Sequence, residues 1–287
     1  MKKYYYQVAE HTFSVEMPEG ETVIDEMGQY SPFVVDGADD VAFALRVVGD
    51  EEFPLIDDVQ VEMHQDDDGS QILAGRANGL PYFEFQLWGK SAAKMVTDEA
   101  YQEATVLLVD EPLFGINNAL MVMYALATAN RQTALFHSSV VSADGRGYMF
   151  LGKSGTGKST HSSLWLKHIE GTQLVNDDNP VVRLMPDGFY VFGSPWSGKT
   201  PCYRNVRYPV GAIVQLSQAP YNKIRRLRPL EAYAALVPSI SGKRWDKRVA
   251  EGLHETENLL AGQVAVWHLE CLPDADAAYT CHAAITT

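Results

Sequence analysis

The residues Gly152-Lys153-Ser154-Gly155-Thr156-Gly157-Lys158-Ser159 have the spacing of a glycine, four residues, then Gly-Lys-Ser/Thr. Glycines let a backbone curl until successive N–H groups converge on an anion. A helix that starts at the same point adds its positive end. Lys158 has the reach for the terminal phosphates of a nucleotide, and the Ser159 hydroxyl is a ligand for Mg²⁺. Further on, the run Gln173-Leu174-Val175-Asn176 ends in Asp177-Asp178, the place for a metal-binding acid in a phosphate-loop protein. Adjacent residues at a strand end diverge, so one carboxylate can hold Mg²⁺ while the other takes the proton of an incoming hydroxyl. The combined chemistry is phosphoryl transfer.

Other candidates are weaker alone. His137 sits in an apolar run and is either a packed residue or a neutral imidazole that bonds an Asp or a transition metal. Lys199 and Arg204, in and after the small-residue loop Gly193–Thr200, either supply positive charge to a phosphoryl group or belong to a simple turn. His161 and His168 read as ordinary helix residues. The basic groups Lys223, Arg225, Arg226 and Arg228, and Lys243, Arg244, Lys247 and Arg248, read as solvated faces or as docking sites for an acidic partner.

The elements that must position these residues follow from periodicity. Gly147 to Leu151 reads as a strand into the loop, and Ser159 to Ile169 as a helix out of it. Ala134 to Val141 reads as one strand, joined through Ala143-Asp144-Gly145-Arg146-Gly147 to the strand before the loop. Strands joined so tightly are antiparallel neighbours, which predicts a mixed sheet. Pro186-Asp187-Gly188 marks a further hairpin, and Asp274 to Ile285 a closing helix. Residues 1–110 alternate in short runs such as Thr12–Glu16, Val59–Met63 and Tyr82–Leu87, which predicts a β-rich domain, a meander or a small sandwich. Helical spacing across 111–130 predicts a helix linking it to the domain 111–287.

The chain has 287 residues, 46% of them hydrophobic, and a formal net charge of −14. No basic stripe matches a nucleic-acid backbone. Three cysteines without metal-like spacing argue against a disulfide framework and for a reducing compartment. No apolar run has membrane-spanning length. The expectation is a cytoplasmic protein without nucleic-acid or membrane partners.

The ordered motifs Phe136-His137-Ser138-Ser139, Phe150-Leu151 with the glycine loop, and Val175-Asn176-Asp177-Asp178-Asn179 resemble the core shared by HPr kinase/phosphorylase and ATP-dependent phosphoenolpyruvate (PEP) carboxykinase. The resemblance spans about residues 131 to 200. It implies an α/β fold whose mixed-sheet phosphate-loop (P-loop) core is of the PEP carboxykinase/HPr kinase type, with the N-terminal β-rich domain outside it. It implies nucleotide contacts from Gly152, Ser154, Gly155, Thr156, Gly157, Lys158, Ser159 and Thr160, with metal at Ser159 and Asp178. Catalysis would fall to Asp177, Lys158 and His137, with ATP and Mg²⁺ (or Mn²⁺) as cofactors. Thr160 replaces the acidic residue usual in HPr kinases, and the chain is much shorter than a carboxykinase. The best fit is an HPr-kinase-like phosphotransferase acting on a hydroxyl of a protein, peptide or small molecule. A non-catalytic ATP-binding module and a small carboxykinase are the alternatives. Self-association stays open.

Overall fold

Hairpins at Asp68-Gly69, Asn78-Gly79, Trp88-Gly89 and Asp144-Gly145 all turn on two residues at positive φ, with glycine second. This geometry matches the right-handed twist of the flanking strands, and glycine adopts it without a Cβ clash. The computed structural model describes residues 1–198 and 200–286. They fall into two compact units that divide after Thr128.

The first unit is one large sheet. Its strands are β1 (Lys2–Val8), β2 (His11–Met17), β3 (Val34–Val35), β4 (Ala44–Val48), β5 (Val59–Asp67), β6 (Ser70–Ala77), β7 (Leu80–Leu87), β8 (Lys90–Thr97) and β9 (Glu103–Leu108), with short helix α1 (Val23–Glu26) between β2 and β3. The order is β3-β1-β2-β4-β9-β8-β7-β6-β5. Strands β5 to β9 form the expected meander. Strand β4 is parallel to both β2 and β9, so the sheet is mixed and is not a sandwich. Parallel pairing needs a long crossover, and the segment between β2 and β4, with α1 and β3, supplies one.

Helix α2 (Pro112–Thr128) packs on β7, β8 and β9. It buries Ile116, Leu120, Met123 and Tyr124, and the Tyr124 hydroxyl donates to Val8 O at 3.1 Å. A Cβ on Gly115 would lie 2.6 Å from Ala92 O, so only glycine allows this approach. The helix expected to link the halves therefore belongs to the first unit, and the division falls at 128, not near 110.

The second unit contains β10 (Thr133–Leu135), β11 (Ser139–Ala143), β12 (Arg146–Leu151), α3 (Lys158–His168), β13 (Gln173–Asn176), β14 (Val181–Met185), β15 (Gly188–Phe192), β16 (Arg207–Gln218), β17 (Lys223–Arg226), α4 (Pro229–Leu236), α5 (Lys247–Gln263), β18 (Val266–Cys271) and α6 (Ala275–Ile285). Its sheet runs β10-β14-β15-β16-β12-β11-β13, with β18 also on β16 and β17 on β18. Both units are thus mixed sheets with few helices, an α/β architecture. One core joins Tyr148, Phe150, Val214 and Leu269 of the sheet to Trp165 of α3 and Cys281 of α6. Asp274 caps α6 by accepting from Ala277 N at 2.9 Å. No helix among the described residues is long and apolar enough to cross a membrane.

The run 134–141 is not one strand. It breaks at His137-Ser138 into β10, paired with β14, and β11, paired with β12 and β13. Long-range partners cause the break. His137 N–H donates to Ser239 O at 2.7 Å and Ser138 N–H to Asp178 O at 2.9 Å, which diverts both amides from a single ladder.

Candidate functional site

Strand directions gather the candidate residues on one edge. β12 is parallel to β16, and β16 to β18. β11 is antiparallel to β12 and to β13, so β13 runs with β12. The carboxyl ends of β13, β12, β16 and β18 therefore share an edge with the start of β11. In open sheets with parallel strands this is where ligands bind.

The glycine loop leaves β12 and enters α3. Gly155 has φ +78° and Gly157, at the start of α3, has φ +108°. Neither has a heavy atom close enough to exclude a Cβ, so their need for glycine is conformational. Thr156 N–H donates to Lys153 O at 3.1 Å, and the Thr156 side chain packs on Gly152. Ser154, Ser159 and Thr160 are exposed.

Lys158 Nζ lies 3.0 Å from Gly152 O and 2.9 Å from His137 Nε2. His137 Nδ1 lies 3.0 Å from Asp178 Oδ1. An ammonium has only donors, so Nε2 accepts and Nδ1 carries the proton that it donates to Asp178. The three residues form one hydrogen-bonded chain from loop to carboxylate. Asn179 Nδ2 donates to the other oxygen of Asp178 at 2.8 Å. Asp177 diverges from its neighbour, and its Oδ1 accepts from the Ser139 hydroxyl at 2.6 Å. Ser139 Oγ also lies 2.5 Å from Ser162 Oγ of α3.

Asn176 sets the geometry of the pair. It is fully buried, accepts from Asp178 N–H at 2.9 Å, and donates to Ser194 Oγ at 3.2 Å and Trp196 O at 3.3 Å. The small-residue loop from Gly193 is thereby tied to the acids. A Cβ on Gly198 would lie 3.1 Å from that of Asp178. Lys199 lies outside the described residues. Arg204 is elsewhere. Its guanidinium donates to Leu174 O at 2.6 Å and Gln173 Oε1 at 3.0 Å, at the start of β13 and some 10 Å of strand from the acids. The arginine holds the start of that strand, and the structure does not bring it to the acids.

His161 is a core residue of α3. It is 3% exposed, accepts from Trp165 Nε1 at 3.1 Å, and burial lowers its pKa from 6.5 to about 4. His168 instead faces the ring of Tyr279. Sequence reasoning passed over Ser139, Ser162 and Asn176 as functional residues. The available signal was polar side chains inside otherwise apolar strand and helix segments, which must find partners when buried.

Ser159 and Asp178 are oxygen donors of the kind Mg²⁺ takes, the rest of its shell being waters and substrate phosphates. Among the described residues no cluster of three His, Cys, Asp or Glu makes an all-protein cage. The donor chemistry thus fits a metal that arrives with a phosphate.

No family model matches the sequence, and no curated protein matches it. Among solved structures the chain is similar to the HPr(Ser) kinase/phosphatase from Coxiella burnetii, at 12% identity over 53% of this chain and 93% of that one, with a TM-score of 0.31. A likeness at this level carries no weight for the chemistry, which rests on the loop, the histidine and the acids.

Proposed function

We propose that the second unit is an ATP- and Mg²⁺-dependent phosphotransferase acting on a hydroxyl of a protein, peptide or small molecule. The observation that carries the reading is the Lys158–His137–Asp178 chain, which ties the phosphate-loop lysine to the acid pair. A loop that only gripped an anion would need no such link.

The loop amides and Lys158 would hold the phosphates. Asp178 and Ser159 would hold Mg²⁺, which when bound neutralises charge on the transferring group. His137 fixes Lys158 and Asp178 relative to each other. Asp177 Oδ1 is occupied by Ser139, and its Oδ2 has no hydrogen-bond partner among the described residues. That oxygen would take the acceptor's proton as its hydroxyl oxygen bonds the terminal phosphorus. The phosphorus–bridging-oxygen bond breaks, and the nucleoside diphosphate leaves.

The test is transfer from γ-labelled ATP with Mg²⁺ to acceptors in an extract of the source cell. Wild type should label an acceptor. Asp177→Asn should lose at least about 10²-fold in rate while still binding ATP. Normal transfer by that variant would remove Asp177 from the assigned role. Nucleotide binding with no transfer by either protein would favour a binding module.

A further inference from the structure

An open cleft of about 530 Å³ lies beside the glycine loop, on the side of β12 away from the acids. The loop residues Gly152 to Thr156 form one wall. Gln215, Ser217 and Gln218 of β16 and His268 of β18 form the other. Gln218 Nε2 donates to Gly155 O at 3.3 Å, which fastens the end of β16 to the loop. Ser217 Oγ and His268 Nε2 lie 2.9 Å apart. Gln215 and His268 are register partners and so point to the same face of the sheet.

The loop has a polarity. Its backbone amides suit the inner phosphates of a nucleotide, and its lysine the outer ones. Lys158 points to His137 and the acids, so the terminal phosphate belongs on the β11–β13 side. The nucleoside must then leave on the opposite side, where the cleft lies.

Resting on the proposed function, we infer that this cleft is the nucleoside subsite, with the Ser217–His268 pair as partner of the ribose hydroxyls. Hydroxyl and imidazole are each donor and acceptor, as is a sugar hydroxyl. Apart from His268, the lining among the described residues offers no aromatic ring for a base to stack on. The sugar is therefore the better-recognised part, and ATP and GTP should bind with similar affinity.

Calorimetric titration of the full chain with Mg²⁺ and ATP, 2′-deoxy-ATP or inorganic tripolyphosphate tests this. Wild type should bind ATP more tightly than tripolyphosphate. Ser217→Ala and His268→Gln should each weaken ATP about tenfold, the scale of one lost hydrogen bond, and leave tripolyphosphate unchanged. Retained tripolyphosphate binding also shows that the variants fold. The 2′-deoxy nucleotide should lose affinity on wild type and little more on the variants. Unchanged ATP affinity in both variants would overturn the subsite while leaving the loop reading intact. If wild type binds neither ATP nor tripolyphosphate, the phosphate-loop reading itself fails, and the subsite with it.

Discussion

An imidazole held at both nitrogens is fixed in ring plane and in tautomer. His137 is held this way, between Lys158 and Asp178. His137→Ala removes the acceptor of one and the donor of the other. Loss of such a supporting partner typically costs about 10- to 100-fold. Phosphoryl transfer should fall by that factor, with ATP affinity changed less, and His137→Gln should recover part of the loss. Steady-state kinetics beside a binding isotherm separate the two effects. His161 gives a prediction about pH. Its folded pKa of about 4 lies below the ordinary 6.5, so between these values the unfolded chain binds more protons. Stability should fall as pH drops from 6.5 to 4, by about 3 kcal/mol for this group. Urea unfolding across that window checks the slope, and His161→Gln should flatten it. An unchanged slope would mean that the ring is protonated in the folded protein.

At the scale of elements, the loop is the six-residue turn, 152–157, between the end of β12 and the start of α3. Gly157→Ala places a Cβ at φ +108°, where the strain should cost about 1–3 kcal/mol and weaken ATP binding as well. Equal urea midpoints for variant and wild type would show that the turn needs no such conformation. This strand–loop–helix unit was legible in the sequence because its glycines, lysine and apolar flanks are contiguous. The two-residue turn at Asp144-Gly145 was legible for the same local reason. The break at His137-Ser138 was not. Apolar pattern reports burial, whereas the break depends on carbonyls of Asp178 and Ser239, far along the chain. The parallel placement of β4 escaped notice because a crossover leaves no periodic signal. Arg244 was read with its neighbours as a surface or docking cation, yet it donates to Glu257, which is fully buried on α5. The distinction lay in the burial of its acid partner, invisible to a count of charges.

Across the whole molecule, every candidate residue that the structure brings together lies in the second unit. The first unit contributes a large sheet with the exposed acidic stretches Asp50–Glu52 and Asp66–Asp68. Hydrogen exchange with Mg²⁺ and ATP should therefore slow amides of the glycine loop and of the strand ends near Asp177 and Ser217. Peptides from residues 1–128 should not change. Protection confined to the first unit would move the nucleotide site there.

The gathering of carboxyl ends on one sheet edge also has a consequence in time. Each strand there finds a neighbour that is remote in sequence, as β12 does in β16 and β16 in β18. Pairings of this kind require closure of long loops before any contact compensates, and they form slowly. The hairpins of β5 to β9 are local and close early by comparison. A chain emerging during synthesis carries the glycine loop well before β16 and β18 exist to flank it. The loop's sequence is thus complete long before its setting is, and the proposed competence for nucleotide would come with the last strands, not with the motif.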